Sequence, residues 1–387
     1  MTPSIGLYTY STLPRGSVVH TAHLADALHD AGWDVTVYAL DKDGRGFFRP
    51  LRARLRLVPA TPAPSTTAAL VRLRAAELAD YLRVHGVRHD VHHAEDCLVA
   101  SGLLAARAAG HPLALARTVH HVEAFTDPYL AECQERSIRQ ADLRLTVSHA
   151  ARRDVAAHFG VDATIVGNGV DVERFSVVDT ARVALWRARL GDRGPVVLAV
   201  GGVEERKNTS RILEAFARLR AGHPGAQLVI AGGATVLDHG AYRADFEAAR
   251  AALPPGVRAA VHELGLVPED ELPALYRLAD VVALPSLHEG FGLAALEGLA
   301  SGTPVVVSNR APFTEFLTTD CATFVDPLSA SAIADGFTAA LAAPPARRDR
   351  GRRAALDHSW ARVAARHAAA YERIWSHARD ALFGSLA

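Results

Sequence analysis

Residues 284–298 read Leu-Pro-Ser-Leu-His-Glu-Gly-Phe-Gly-Leu-Ala-Ala-Leu-Glu-Gly and follow the apolar run Val281-Val282-Ala283. The apolar run closed by proline reads as a buried strand. Two glycines then free the backbone for a tight turn, and an alanine- and leucine-rich helix begins at about Gly292. Strand, glycine turn and helix are the repeating unit of a parallel sheet with helices on its faces. In such sheets ligands bind beyond the carboxyl ends of the strands, where the first N–H groups of the next helix meet them. Glu289 falls in the loop and Glu297 on the second helical turn, about 10 Å apart along the helix direction. Carboxylates so spaced reach two hydroxyl-bearing rings with a diphosphate between them. The plain alternatives are an acid at a helix N-terminus for Glu289 and a surface residue for Glu297.

The same alternation runs outward in both directions, so the fold class is α/β. Strands are expected at 4–10, 34–40, around 54–58, 90–94, 113–119, 143–147 and 163–166, and then near 195–201, 226–231, 258–263, 280–284, 303–307 and 322–325. Helices are expected between them, among others at 18–31, 95–109, 208–221, 240–252, 271–278, 292–301, 329–342 and 358–376. A chain of 387 residues exceeds what one core sustains, which implies two domains. The polar stretch Asp171 to Gly194, with a short arginine-bearing helix, is the expected linker, and 59–67 and 343–353 are expected loops.

Three further strand ends carry polar chemistry. Leu13-Pro14-Arg15-Gly16-Ser17 is a glycine turn entering a helix, either a close approach to a ligand or a mere helix start. His120 stands after the strand ending at Val119 and is either functional or a satisfied structural imidazole. Gly201-Gly202 leads to Arg206-Lys207-Asn208 and an amphipathic helix. Two cations beside a helix N-terminus suit a diphosphate, the alternative being a solvated turn. Lys42 and Lys207 are the only lysines in an arginine-rich chain, which favours a chemical reason for the second.

Lysine plus arginine equals aspartate plus glutamate at 42 each, which argues against a nucleic-acid binder. No apolar run approaches the length of a membrane span, the start reads as a strand and not a leader, and three scattered cysteines make no disulfide framework. A cytoplasmic protein is expected. His85, His89, His92 and His93 could suggest zinc, but a strand over Asp90 to Ala94 scatters neighbouring side chains to opposite faces. Asp41-Lys42-Asp43 reads as a solvated loop more readily than a metal site. Five arginines from Arg45 to Arg56, interleaved with Phe47, Phe48, Leu51, Leu55 and Leu57, read as a half-exposed basic strand, with peripheral contact to anionic lipid as the second reading.

With Pro285-Ser286, Glu289-Gly290-Phe291-Gly292-Leu293 and Glu297 in place, the chain resembles the family 4 retaining glycosyltransferases, whose mark is this Glu-x7-Glu element. Ala300-Ser301-Gly302-Thr303-Pro304, Gly167-Asn168-Gly169 and the Lys207 loop extend the resemblance along nearly the whole chain. The resemblance implies the GT-B architecture, two facing Rossmann-like domains with parallel sheets and an interdomain cleft. It would comprise an acceptor-side domain over 1–172, joined by the C-terminal helix at about 371–387, and a nucleotide-sugar domain over 190–370.

It also implies a donor that is a nucleotide diphosphate sugar, UDP-sugar first and GDP- or ADP-sugar next, and a small-molecule, glycan or lipid-linked acceptor, with no cofactor and no metal. Carried over by position, Glu289 would hold the donor sugar with the backbone of Gly290, Phe291, Gly292 and Leu293. Glu297 would hold the ribose, Lys207 and Arg206 the diphosphate, and Leu266-Val267 the base. His120 would approach the transferred sugar and Gly16 its phosphate or the acceptor. Relatives commonly carry arginine after the first glycine of the Lys207 loop, where this chain has Gly202. Rival readings are set aside on chemistry. A pyridoxal-dependent phosphorylase lacks a suitably placed lysine, and a dehydrogenase lacks Gly-x-Gly-x-x-Gly. A catalytically silent nucleotide-sugar-binding protein stays open.

Overall fold

The computed structural model describes residues 3–62, 64–176, 179–191, 194–233 and 240–384. The chain divides into two compact units, Met1–Gly169 with Trp360–Ala387, and Val170–Ser359. The linker region is helical, and the crossing back to the first unit falls at Trp360, earlier than the sequence suggests, because one continuous helix starts there.

In the first unit β1 (Ser4–Thr9), β2 (Asp34–Asp41), β3 (Arg54–Pro59), β4 (Val91–Ala94), β5 (Leu115–Val119), β6 (Leu143–Thr146) and β7 (Thr164–Ile165) form one parallel sheet in the order β3-β2-β1-β4-β5-β6-β7. Its helices are α1 (Gly16–Asp30), α2 (Thr67–Val84), α3 (Cys97–Ala108), α4 (Pro128–Arg139) and α5 (His149–Phe159). The second unit starts with α6 (Val172–Ser176) and α7 (Thr180–Leu190). Its parallel sheet runs β10-β9-β8-β11-β12-β13, from β8 (Val196–Val200), β9 (Gln227–Ala231), β10 (Val261–Gly265), β11 (Val281–Leu284), β12 (Val305–Ser308) and β13 (Ala322–Val325). Around it lie α8 (Thr209–Gly222), α9 (Gly240–Ala252), α10 (Pro255–Arg258), α11 (Leu272–Leu278), α12 (Leu293–Ala300), α13 (Phe313–Phe316), α14 (Ala330–Leu341) and α15 (Pro345–Leu356), and α16 (Trp360–Gly384) returns to the first unit.

The central strands are buried on both faces, which is why they read as continuous apolar runs: all of Val281–Leu284 and Val305–Ser308 is buried. Helix starts follow local capping. Asp96 accepts from Val99 N at 2.9 Å at α3, and Ser148 from Ala151 N at 3.0 Å at α5. Two expectations are corrected. The segment 343–353 is mostly the helix α15, where Pro345 takes the first position, which needs no N–H, and Gly351 lies close against Leu299. The strand expected at 258–263 starts at Val261, because Pro254-Pro255 opens the short helix α10. Among the described residues no helix is long and apolar enough to cross a membrane, and all three cysteines are free thiols.

The arginines of 45–56 are largely spent on carboxylates. Arg49 pairs with Asp26 at 2.8 Å, Arg52 with Asp30 at 2.7 Å, and Arg54 with Asp34. β3 is the sheet edge, with mostly exposed side chains, as a half-exposed basic strand requires. The Asp41 carboxylate accepts from Gly44 N at 3.0 Å and Gly46 N at 3.2 Å, which closes that turn as a loop.

Candidate active site

In each sheet the strand order reverses once, between β1 and β4 and between β8 and β11. Loops leaving the carboxyl ends of such strand pairs diverge to opposite faces and open a crevice, the place where open α/β sheets bind ligands. Gly16 after β1, Arg206 and Lys207 after β8, and Glu289 to Glu297 after β11 fall at these points, whereas His120 follows β5 and Leu266-Val267 follow β10, away from the reversals.

In the second unit the loop after β8 brings Lys207 to the loop after β11. Lys207 Nζ donates to Glu289 Oε2 at 2.6 Å across 82 positions of chain, and Arg206 Nη1 stands 3.6 Å from Glu289 Oε1. The Lys207 and Glu289 side chains are 14% and 11% exposed, against 35% for Arg206, so the pair is sheltered and Arg206 forms its wet edge. The backbone is laced as well, with Leu287 N donating to the Arg206 carbonyl at 2.8 Å. Two residues that sequence reading passed over hold this arrangement. Asn208 adopts the left-handed conformation at φ 62° and donates its amide to the carbonyls of Pro285 at 2.9 Å and Pro327 at 2.6 Å. Its position, immediately after the lysine and before a helix, was the available signal. Glu204, 3% exposed, forms an ion pair with Arg206 Nε at 3.1 Å.

Gly202 has φ +76°, and a Cβ there would stand 3.1 Å from the carbonyl oxygens of Gly232 and Gly233. The backbone itself therefore disfavours the arginine that relatives carry. Gly201 is committed by its φ of +125°, with the Lys207 side chain alongside.

Gly292 caps α12 at φ +100°, with the Phe313 ring where a side chain would go. Phe291 stacks on Phe316 at 4.6 Å, which fixes the turn from below. At the start of α12 the N–H groups of Leu293 and Ala294 precede the helix's own hydrogen-bond ladder, while Ala295 N donates to the Gly292 carbonyl at 3.0 Å. Gly290 sits partly buried between Glu289 and this cap. One turn further, Glu297 accepts from Tyr276 Oη at 2.5 Å. Burial pushes its carboxyl pKa up while Tyr276, Arg174 and Lys207 pull it back. Leu266 is 58% exposed and Val267 5%, just past β10, on the carboxyl side of the same sheet.

In the first unit Gly16 opens α1 after β1 without a side-chain cap, exposed and with nothing within 4 Å of a built Cβ. His120, after β5, donates to or accepts from Glu95 Oε2 at 2.9 Å and is 18% exposed. Burial, then Arg117 and His121, push its pKa down to about 3, so the ring is neutral at working pH. Glu95, just past the switch-point strand β4, was not singled out from sequence; the acidic pair Glu95-Asp96 closing a buried strand was its signal. His92 and His93 do point to opposite faces. His92 Nδ1 meets Tyr8 Oη at 2.8 Å, while His93 meets Thr118 Oγ1 and Tyr371 Oη, both at 2.7 Å.

Comparison with known proteins finds matches along both units. Residues 185–357 match the family model described as glycosyl transferases group 1, and residues 14–174 match glycosyltransferase family 4. The chain is 30% identical to the MMP alpha-(1->4)-mannosyltransferase of Mycolicibacterium hassiacum, over 95% of this chain and 96% of that protein. Among solved structures it superposes on a sucrose-phosphate synthase from Thermosynechococcus elongatus with a TM-score of 0.80 at 21% identity, covering 97% and 100% of the two chains. It also superposes on Anabaena Alr3699/HepE in complex with UDP and glucose, with a TM-score of 0.76 at 17% identity, covering 95% and 98%.

Proposed function

The chain belongs to the family 4 glycosyltransferases of the GT-B fold, and from that premise we propose that it is a retaining hexosyltransferase acting without a metal. It moves a sugar from a nucleoside diphosphate donor, a uridine diphosphate sugar in the first instance, to a hydroxyl-bearing acceptor. The observation that carries this reading is the Lys207–Glu289 contact of 2.6 Å at the β8/β11 switch point. It joins a cation suited to a diphosphate to a carboxylate suited to sugar hydroxyls.

As the bond from the anomeric carbon to the diphosphate breaks, negative charge grows on the leaving oxygen. Lys207, Arg206 and the first N–H groups of α12 stabilise it as it forms. With no acid of the protein needed on that oxygen, Glu289 orients the reacting sugar. Glu297, held by Tyr276, binds the ribose, and Leu266-Val267 meet the base. In the first unit, His120 contacts the transferred sugar and Gly16 its phosphate or the acceptor. The acceptor attacks on the face that the diphosphate leaves, and a phosphate oxygen takes its proton, which preserves the anomeric configuration. The UDP bound by the Anabaena protein supports a nucleotide donor. A cytoplasmic site of action accords with such donors.

The test is donor turnover by the purified protein against uridine, guanosine and adenosine diphosphate sugars, in excess EDTA, with the anomer of the first product read by NMR. An α-linked product from an α-linked donor is expected. A β-anomer, or activity that returns only on adding manganese, refutes the mechanism. Tight donor binding with neither transfer nor hydrolysis would instead assign a silent nucleotide-sugar-binding protein.

A further inference from the structure

Glu95 is 1% exposed and ringed by titratable side chains from every element packed against it. They are His20 from α1, His93 from β4, Asp96 beside it, Arg117 from β5, His120 after that strand and Tyr371 from α16, with His367 packed on His20 and His93 behind them. The tautomer of His20 is fixed by its neighbours. Asn168 Oδ1 accepts the Gly169 N–H at 2.9 Å, which sets the amide's orientation. In its 3.1 Å contact with the same oxygen, His20 Nδ1 must therefore donate. Nε2 of the neutral ring is then a lone pair. It is buried, has no hydrogen-bond partner among the described residues, and lies 3.8 Å from Glu95 Oε2. Glu95 Oε1 is likewise unpartnered.

The lone pair of His20 Nε2 faces Glu95 Oε2, itself an acceptor; two buried acceptors so placed repel, and a buried lone pair is costly unmatched. The buried guanidinium of Arg117 is shared with Asp96, so it does not neutralise Glu95 alone. One proton resolves the conflict. We propose that Glu95 is held as the neutral carboxylic acid, bridging His20 and His120, so that His120 keeps its proton on Nε2 and offers Nδ1 as an acceptor to a ligand hydroxyl.

The carboxyl O–H donates to His20 Nε2, a closure of about 1 Å from the present separation to hydrogen-bond length. In this arrangement Oε2 is the hydroxyl oxygen: it donates to His20 and takes the His120 Nε2–H across the 2.9 Å contact, and Oε1 is the carbonyl oxygen. A metal ion shared by His20, Glu95 and His120 fits less well, because ligands of a tetrahedral zinc stand about 3.3 Å apart. The 2.9 Å contact is a hydrogen bond. Glu95 is thus a positioning residue. The role of His120 toward sugar rests on the glycosyltransferase reading, whereas the protonation of Glu95 does not.

The test compares the wild type with Glu95→Gln, which keeps one donor and one acceptor, and with Glu95→Ala. A carboxyl whose folded pKa is raised stabilises the fold below its unfolded value, and that stability is lost as pH rises through the folded value. Glutamine does not titrate. The melting temperature of Glu95→Gln should therefore exceed that of the wild type by a margin that widens from about pH 4.5 upward. The infrared difference between the two at pH 7 should show the carbonyl band of a protonated carboxyl. Glu95→Ala, folded by circular dichroism, should lose about 100-fold in turnover, as for a misplaced reacting group, and Glu95→Gln should recover most of it. A margin that shrinks with pH, or a missing band, overturns the neutral acid. Uptake of one zinc ion that His20→Ala abolishes assigns the cluster to a metal and overturns it too. If no donor is turned over at all, the glycosyltransferase reading fails while melting and infrared still decide the state of Glu95.

Discussion

Acidification should loosen the first unit long before ordinary acid denaturation. His20, His92 and His367 are fully buried there, and burial pushes their pKa values down to about 4, 3 and 3. A folded imidazole held below its unfolded value of 6.5 stays neutral while the unfolded chain takes up a proton. The unfolded state then binds more protons, and stability rises with pH over the window from the folded value to 6.5. At pH 5 each of the three has lost about 2 kcal/mol relative to pH 7, about 6 kcal/mol together. Glu95, shifted the other way, returns part of this. Against a whole-domain stability of about 5–15 kcal/mol, the remainder, about 3 kcal/mol, removes a sizeable share of what holds the first unit together without carrying it through its midpoint. The second unit, where His262 is lowered by burial and then by Arg250, should lose less. Hydrogen exchange read by mass spectrometry at pH 7, 6 and 5, corrected for intrinsic rates, resolves the units separately. Protection of β1, β4 and α16 should fall by orders of magnitude at pH 5 while that of β8 and β11 falls modestly. Constant protection in the first unit from pH 7 to pH 5 would refute the reasoning, as would earlier loss in the second.

Lys207→Ala and Arg206→Ala should each lower turnover by about 100- to 1000-fold if both stabilise the leaving diphosphate. A crippled Lys207 variant beside an Arg206 variant of normal activity would remove Arg206 from the clamp and leave it as a partner of Glu204. Glu297→Ala should raise KM for the donor with turnover largely kept, and Glu289→Ala should lower turnover; steady-state kinetics with the pattern reversed would interchange the two carboxylates. Gly202→Ala should lower stability by about 1–2 kcal/mol, because its φ lies in the left-handed region and the new Cβ presses on two carbonyl oxygens. A denaturation midpoint equal to the wild type's would show that the loop relaxes easily enough to take a side chain.

What the sequence made legible was local. The strand, turn and helix at 281–300 follow from an apolar run, two glycines and an alanine-rich tail, and the cations of the Lys207 loop follow from their place after β8. What it hid was long-range. His20 meets Asn168 across 148 positions and His93 meets Tyr371 across 278, and no periodicity links such pairs. The helix α15 was hidden for a different reason. Prolines and arginines outweigh its few apolar residues, and what anchors it is the packing of Gly351 on Leu299 and the burial of Ala355. The reason for Gly202 was also invisible, because the carbonyls that crowd it belong to Gly232 and Gly233, thirty residues on.

The return of α16 has a consequence during synthesis. Trp360, Val363, Ala364, Ala370 and Tyr371 belong to the same apolar cluster as Ile5, Leu7 and Val37. As the chain leaves the ribosome, residues 170–359 are whole and able to close first. The segment made earliest must wait, its core open on one side, until the last helix emerges. A released chain truncated just before Trp360 should therefore carry a finished second unit and a first unit still open to a chaperone.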